Sequence, residues 1–189
     1  MDKSALAATL VFWFLTGLLP RIFFRKDGNF NLKWWLTALP TIAAPALVLA
    51  AAFGGIHAET PKSWDTAEGI VSTIVTSFAV GMLFFTLGTH RVPIALWHQD
   101  NDAPRSIVTY GAYSRVRHPF YVSFLLAMVG VAVLIPHWST LLTLVYALLR
   151  LNATAAREEA RLSESEFGPE YQEYIRRTGR FVPRLAGAR

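Results

Sequence analysis

The sequence predicts an all-α, polytopic membrane protein with five transmembrane helices and a short cytoplasmic C-terminal helix. Three observations carry that prediction. Apolar residues gather in long blocks, Arg and Lys concentrate in alternate loops between the blocks, and the chain turns polar beyond Leu162. Of 189 residues, 53% are hydrophobic and 13% aromatic, and the mean hydropathy is +0.34. A soluble domain of this size buries one core behind amphipathic segments, whereas these blocks are apolar without interruption.

A helix rises about 1.5 Å per residue, so crossing about 30 Å of hydrocarbon takes roughly 20 apolar residues. The first block runs from about Ser4 to Leu19. It lacks a convincing small-residue cleavage site and is read as a retained span rather than a signal peptide. The second runs from Trp34 to Phe53, with Pro40 and Pro45 inside it; these bend the helix unless neighbouring helices hold the freed carbonyls. The third runs from about Ile70 to Leu87. After a polar stretch from Gly88 to Arg117, an apolar region extends from Pro119 to Leu151, broken only by Pro136, His137, Trp138 and Ser139. That break predicts a tight hairpin with arms at about Phe120 to Ile135 and Thr140 to Leu151, each short for a span. Pro119 suits a first helical turn and Ser139 a cap on the returning arm. The returning arm keeps helical composition through Ala153, Ala155, Ala156 and Glu158, so it is expected to project beyond the bilayer as one helix. Phe167-Gly168-Pro169 then reads as a break, followed by a short helix containing Glu170, Tyr171, Gln172, Glu173 and Tyr174. Tyr171, Tyr174, Phe181 and Val182 are expected to dock this tail on the membrane domain. No repeat or low-complexity linker divides the chain. It reads as one domain over residues 1–189, with three spans and their loops in 1–104 and the hairpin and tail in 105–183.

Orientation follows from the basic residues beside the blocks. Arg21, Arg25, Lys26 and Lys33 lie in the first loop; Arg91, Arg105, Arg115 and Arg117 in the third; Arg150, Arg157, Arg161, Arg176, Arg177 and Arg180 toward the tail. The second loop has Lys62 among Glu59, Asp65 and Glu68, and the hairpin tip has no Arg or Lys. The amino terminus is therefore expected outside and the carboxyl terminus in the cytoplasm, in a multi-pass protein of a bacterial inner membrane. The formal charge of +5 suits anionic headgroups at the block ends, and no nucleic-acid motif is present. With no cysteine, thiol catalysis, disulfides and cysteine-bound metals are excluded. His90, His98 and His118 match no standard metal spacing, and no metal site is expected.

Polar side chains near membrane helices are costly unless paired or hydrated, which singles out Arg115, Arg117, His118, Arg150, Asn152, Glu158 and Glu159. One cluster, Gly111-Ala112-Tyr113-Ser114-Arg115-Val116-Arg117-His118-Pro119-Phe120-Tyr121, opens the hairpin; the other, Arg157-Glu158-Glu159, ends it. With the turn on the far side, both return to one membrane face. Opposed charges of this kind suit a zwitterionic ligand such as the amino-acid end of S-adenosylmethionine. The plainer reading is that Arg117 anchors to phosphates, His118 caps a helix and the glutamates form a solvated helix end.

The first cluster, Glu158-Glu159 and Phe167-Gly168-Pro169-Glu170-Tyr171 together resemble the isoprenylcysteine carboxyl methyltransferase family and its bacterial and phospholipid methyltransferase relatives. The resemblance covers about Arg105 to Pro183 and rests on Arg-His-Pro-x-Tyr followed, one hairpin later, by Glu-Glu. It implies methyl transfer from S-adenosylmethionine, between membrane and cytosol, to a lipophilic acceptor entering from the bilayer. The positions it implies for cofactor binding are Tyr113, His118, Tyr121, Glu158 and Glu159, the stretch Arg105, Ser106, Ile107 and Val108, and either His98 or Gln99. Ser123 stands where the motif has glycine, and the interval from Glu159 to Phe167-Gly168 is one residue long. The substrate-binding arginine of the prenylcysteine enzymes falls at Thr154, with Arg150 a turn earlier. Those departures leave the acceptor open, and the oligomeric state with it. The sulfonium is already activated, so positioning and exclusion of water carry most of the expected catalysis. No catalytic base is assigned, although His98, His118 or Glu158 could assist loss of a substrate proton. The alternatives are a nicotinamide-dependent membrane reductase of sterol reductase type and a non-enzymatic lipid-binding protein.

Overall fold

The computed structural model describes residues 2–19, 23–25, 27–89 and 107–184. Among these residues it is all-helical, with isolated β-bridges and no strand. The α-helices are α1 (Lys3–Gly17), α2 (Leu32–Ala52), α3 (Asp65–Thr89), α4 (Pro119–Leu134), α5 (Trp138–Ser163) and α6 (Gly168–Arg177). Three segments are long and apolar enough to cross a membrane: Leu32–Ala52, Lys62–Thr89 and Trp138–Ser163. Lys3–Gly17 and Pro119–Leu134 are apolar but shorter. The expected blocks thus all form helices, and three reach spanning length. The returning arm of the hairpin is one helix of 26 residues, because its charged end continues the apolar part without a break.

α4 sits at the centre, packed by α1, α2, α3 and α5. Its composition explains the place: from Pro119 to Leu134 it is apolar around its whole circumference, which suits a helix surrounded by others. The closest partnership is between α3 and α4, where small residues let the backbones approach. Ser72 donates its hydroxyl to the Gly130 carbonyl at 2.8 Å, and a Cβ on Gly130 would strike the Thr76 hydroxyl. On the other side Phe12 and Trp13 of α1 meet Phe124 edge-on, with centroids 5.5 and 6.0 Å away. Ser123, in place of the motif glycine, is fully buried and donates to the Phe120 carbonyl at 2.7 Å, so its extra hydroxyl is satisfied within the helix.

Pro40 lies inside α2 and leaves the Leu36 carbonyl without its helical donor. Tyr146 of α5 supplies one, its hydroxyl donating to Leu36 O at 2.7 Å. At the far end of the hairpin the expected cap is corrected. His137 is the N-cap of α5, extended at φ −143° and ψ 146°, and its Nδ1 accepts from the Ser139 N–H. Ser139 is already helical, and its hydroxyl lies 2.7 Å from that same nitrogen. In the tail, Tyr171 and Tyr174 are buried and Phe181 packs against the core. Val182, expected to join them, is 74% exposed.

Candidate functional site

The two clusters converge at one end of the α4–α5 hairpin. Pro119 occupies the first turn of α4, so His118 stands just before the helix with no capping bond from its side chain. Its ring instead turns toward α5 and lies flat on Tyr121, with centroids 5.3 Å apart and planes 5° apart. Phe181 closes over one edge at 6.1 Å.

Glu158 and Glu159 are consecutive on α5, so they leave the helix about 100° apart and meet different partners. Glu159 turns inward. Its Oε1 accepts from Arg117 Nε at 2.9 Å and Arg180 Nε at 3.1 Å and lies 3.1 Å from His118 Nε2; its Oε2 accepts from Arg180 Nη2 at 2.6 Å. Two guanidiniums and one imidazole thus surround one carboxylate that retains 9% exposure. Glu158 has a lighter set of partners. Its Oε1 accepts the Tyr121 hydroxyl at 2.6 Å, and its Oε2 stands 3.5 Å from His118 Nδ1 with the side chain 19% exposed. The imidazole therefore bridges both carboxylates, and it donates to both at once only when doubly protonated.

The tail completes the site through backbone pairing. Val116 and Gly179 form a parallel bridge, Arg117 N–H donates to the Gly179 carbonyl at 2.8 Å and His118 N–H to the Arg180 carbonyl at 3.2 Å. The Arg117 guanidinium adds a bond to the Thr178 carbonyl. Arg180 Nη1 donates to Asn152 Oδ1 at 2.8 Å, and its bonds to Glu159 raise its pKa. Tyr174 donates to the Tyr113 carbonyl at 2.6 Å, and burial pushes its own pKa up to about 12. Burial also raises the Tyr113 phenol, with Tyr174 and Glu158 adding to the effect. Gly111 positions this segment against α3. Its φ is 60°, a Cβ there would strike the Thr89 side chain, and the next residue, Ala112, donates its N–H to Thr89 Oγ1 at 3.2 Å.

Tyr113, His118, Tyr121, Glu158 and Glu159 are thus gathered in one place. Ile107 and Val108 are half-buried ahead of the turn Gly111–Ser114. His98, Gln99, Arg105 and Ser106 lie outside the described residues. Arg150 and Thr154 stand apart from the cluster. Arg150 reaches toward α2, where its Nη2 lies 3.4 Å from Thr37 Oγ1, and Thr154 accepts from Arg157 at 3.1 Å on the exposed side. Sequence reasoning did not single out Arg180 as a member of the site. The signal available was the need of a buried glutamate for cations beyond Arg117.

Two curated proteins are similar over much of the chain. Over 114 residues it is 35% identical to the cobalt-zinc-cadmium resistance protein CzcN of Cupriavidus metallidurans, covering 57% of this chain and 52% of that protein. Over 142 residues it is 32% identical to the nickel-cobalt-cadmium resistance protein NccN of Alcaligenes xylosoxydans xylosoxydans, covering 75% of this chain and 62% of that protein. The matches therefore span between about half and three fifths of these relatives' length. No family model matches the sequence. Among the described residues, no group of three or more His, Asp or Glu stands where it could hold a metal ion.

Proposed function

We propose that this chain is an S-adenosylmethionine-dependent methyltransferase acting on a lipophilic acceptor at the membrane–cytosol interface. The observation that carries the reading is Glu158, a partly exposed carboxylate beside the stacked His118–Tyr121 pair. The donor set fits the cofactor. Glu158 keeps lone pairs for an ammonium or for ribose hydroxyls, and Tyr113 remains a neutral donor at physiological pH. Bound S-adenosylmethionine supplies the methyl group already activated. The protein's part is then to orient and to keep water out, which Phe181 and the tail do by covering His118. Glu159 has its lone pairs occupied by Arg117, Arg180 and His118, so in this reading it holds the tail in place and Glu158 meets the ligand.

In the same reading α1 and α4 cross the bilayer with α2, α3 and α5, giving five spans. The hairpin tip at His137 then faces outward, and the cluster and carboxyl terminus face the cytoplasm of a bacterial inner membrane, as the basic loops require. The relatives' names concern metal resistance. In this reading any such role here runs through modification of a membrane component.

Calorimetry on the protein purified in mild detergent tests the proposal. Saturable binding of S-adenosylmethionine and its demethylated product is expected, weakened about tenfold by Glu158→Gln, the loss of one charge-assisted contact. Absence of saturable binding by the folded wild type would sink it, and binding of NADPH in its place would move the assignment to a membrane reductase. Mass spectrometry of lipid extracts incubated with labelled methyl donor then identifies the acceptor.

A further inference from the structure

Residues 23–25 and 27–31 form a small hairpin ahead of α2 that the polar cluster does not use. Phe24 and Phe30 pair as an antiparallel bridge. The Arg25 N–H donates to the Asn29 carbonyl at 2.8 Å and the Asn31 N–H to the Phe23 carbonyl at 3.0 Å. The Gly28 N–H closes the turn on the Arg25 carbonyl at 3.0 Å, with φ at 80°, and Asp27 Oδ1 accepts the Asn29 N–H at 3.0 Å. Rings fasten the hairpin to the first turn of α2. Trp35 stacks with Phe23 at 5.2 Å and with Phe30 at 5.6 Å, and Trp34 meets Phe23 edge-on at 5.0 Å. Asn31 caps the helix by accepting the Trp34 N–H at 3.2 Å. The hairpin therefore keeps a fixed attitude to the α2 axis.

The hairpin has two unlike sides. Bridge pairing puts Phe24 and Phe30 on one of them, and strand alternation sends Arg25 and Asn29 to the other, where with Asp27 they make an exposed polar tip. Phe24 and Phe30 are each more than half exposed. On α2, Leu32, Leu36 and Leu39 share one stripe at helical spacing and are all more than 40% exposed. α2 has spanning length and hydropathy, so this stripe faces acyl chains. Trp35 lies four residues before Leu39 and carries Phe30 on its ring, so the aromatic side adjoins the stripe. Two costs then bound the depth of the hairpin. Water would meet a bare pair of phenyl rings, whereas hydrocarbon would strand the outer N–H and C=O groups and the charges of Arg25 and Asp27. The layer between the two satisfies both. We propose that the hairpin is an interfacial anchor, seated in the headgroup layer of the bilayer with Phe24 and Phe30 on the acyl chains and Arg25 among the phosphates. The sequence sets Arg21, Arg25, Lys26 and Lys33 against one acid, Asp27, in this region, a charge that phosphates attract. The anchor rests on α2 crossing the bilayer and not on methyl transfer.

The chain has no cysteine, so a single substitution places one nitroxide label on the full chain in vesicles of phosphatidylcholine and phosphatidylglycerol. Relaxation of the label by oxygen, which concentrates in hydrocarbon, or by a water-soluble nickel chelate reads its depth. Labels at Phe24→Cys and Phe30→Cys should relax mainly with oxygen, as should one at Leu36→Cys on the α2 stripe. A label at Arg25→Cys should relax mainly with nickel, a reversal between neighbouring positions. Leu32→Cys removes no ring from the stack and should behave as Phe24→Cys does, which keeps the proposal falsifiable if loss of a phenyl ring unfolds the hairpin. Nickel dominance at positions 24, 30 and 32 with oxygen dominance at 36 would overturn the anchor while leaving α2 in the bilayer. Oxygen dominance at 25 as well would sink the hairpin into hydrocarbon and overturn it too. Poor relaxation by both reagents at 24 and 30 would put protein on that face, and dipolar broadening that vanishes on dilution with unlabelled chain would identify it as a second copy; either result overturns the proposal. Nickel dominance at 36 would remove the span on which the anchor rests, and the anchor with it.

Discussion

Replacing Glu159 by Gln should detach the tail from the membrane helices. The carboxylate is 9% exposed and holds Arg117, Arg180 and His118 at 2.6 to 3.1 Å. Removing one member of a buried ion pair costs about 3–5 kcal/mol when the other charge is left stranded. The partners differ in how far they are stranded. Arg117 is itself 9% exposed and keeps only carbonyl partners, Thr178 among them. Arg180 is 31% exposed and can turn toward water, so its share is smaller, about 1 kcal/mol. Glutamine retains a neutral acceptor, which lowers the total to about 3 kcal/mol. At roughly 2–4 °C per kcal/mol for a chain of this size, the melting temperature in detergent should fall by about 6–12 °C. Arg180→Gln should lower it by only a few degrees. Because the contacts tie α5 to residues 178–182, trypsin should cut first at Arg176, Arg177 or Arg184 in the Glu159→Gln variant, ahead of global melting. A Glu159→Gln protein that melts within a degree of wild type, with an equally resistant tail, would refute the view that this carboxylate fastens the tail.

Three further outcomes are expected. Tyr146→Phe strands the Leu36 carbonyl and should cost about 1–2 kcal/mol, but should cost little in a Pro40→Ala background, where the helix supplies its own donor; additive losses in denaturation of the four-member cycle would contradict the pairing. Gly111→Ala combines a φ of 60° with a collision against Thr89 and should destabilise by about 1–3 kcal/mol, whereas the same change at Gly81, where a Cβ meets nothing within 4 Å, should stabilise α3 slightly, both read by thermal melting. Burial raises the phenols of Tyr113, Tyr171 and Tyr174 above their ordinary value of 10, that of Tyr174 to about 12; the folded state then holds more protons than the unfolded state as pH climbs past 10, so the melting temperature should decline between pH 10 and 12. A flat melting temperature over that interval would show these phenols to be accessible in the folded protein.

Much of this architecture was legible from one dimension because lipid demands apolar runs and helices satisfy their own backbone. Block lengths alone placed α1, α2 and α4 to within a few residues; α3 begins earlier, at Asp65, where acidic side chains suit a helix start, and α5 runs on to Ser163, past the apolar arm that ends at Leu151. Local steric rules located Pro119 in the first turn of α4, whereas the break expected at Phe167-Gly168-Pro169 falls earlier, at residues 164–167, and Gly168 and Pro169 open α6. Hairpin topology brought His118 and Tyr121 beside Glu158, since two antiparallel arms joined by a short turn must return to the same face.

What tertiary structure alone decided was the direction of each charge. Glu158 and Glu159 are interchangeable as letters, yet a step of about 100° around α5 sends one toward Tyr121 and the other between Arg117, Arg180 and His118. Arg150 and Arg180 are equally plain arginines in the sequence. The first faces α2 across an apolar cleft because α2 packs on that side of α5. The second reaches Glu159 only because Gly179 pairs with Val116 and lays the tail along the start of the hairpin. Apolar patterning is a property of the chain and survives in its order of residues. Pairing of charges is a property of space, settled only when helices from distant parts of that order have packed.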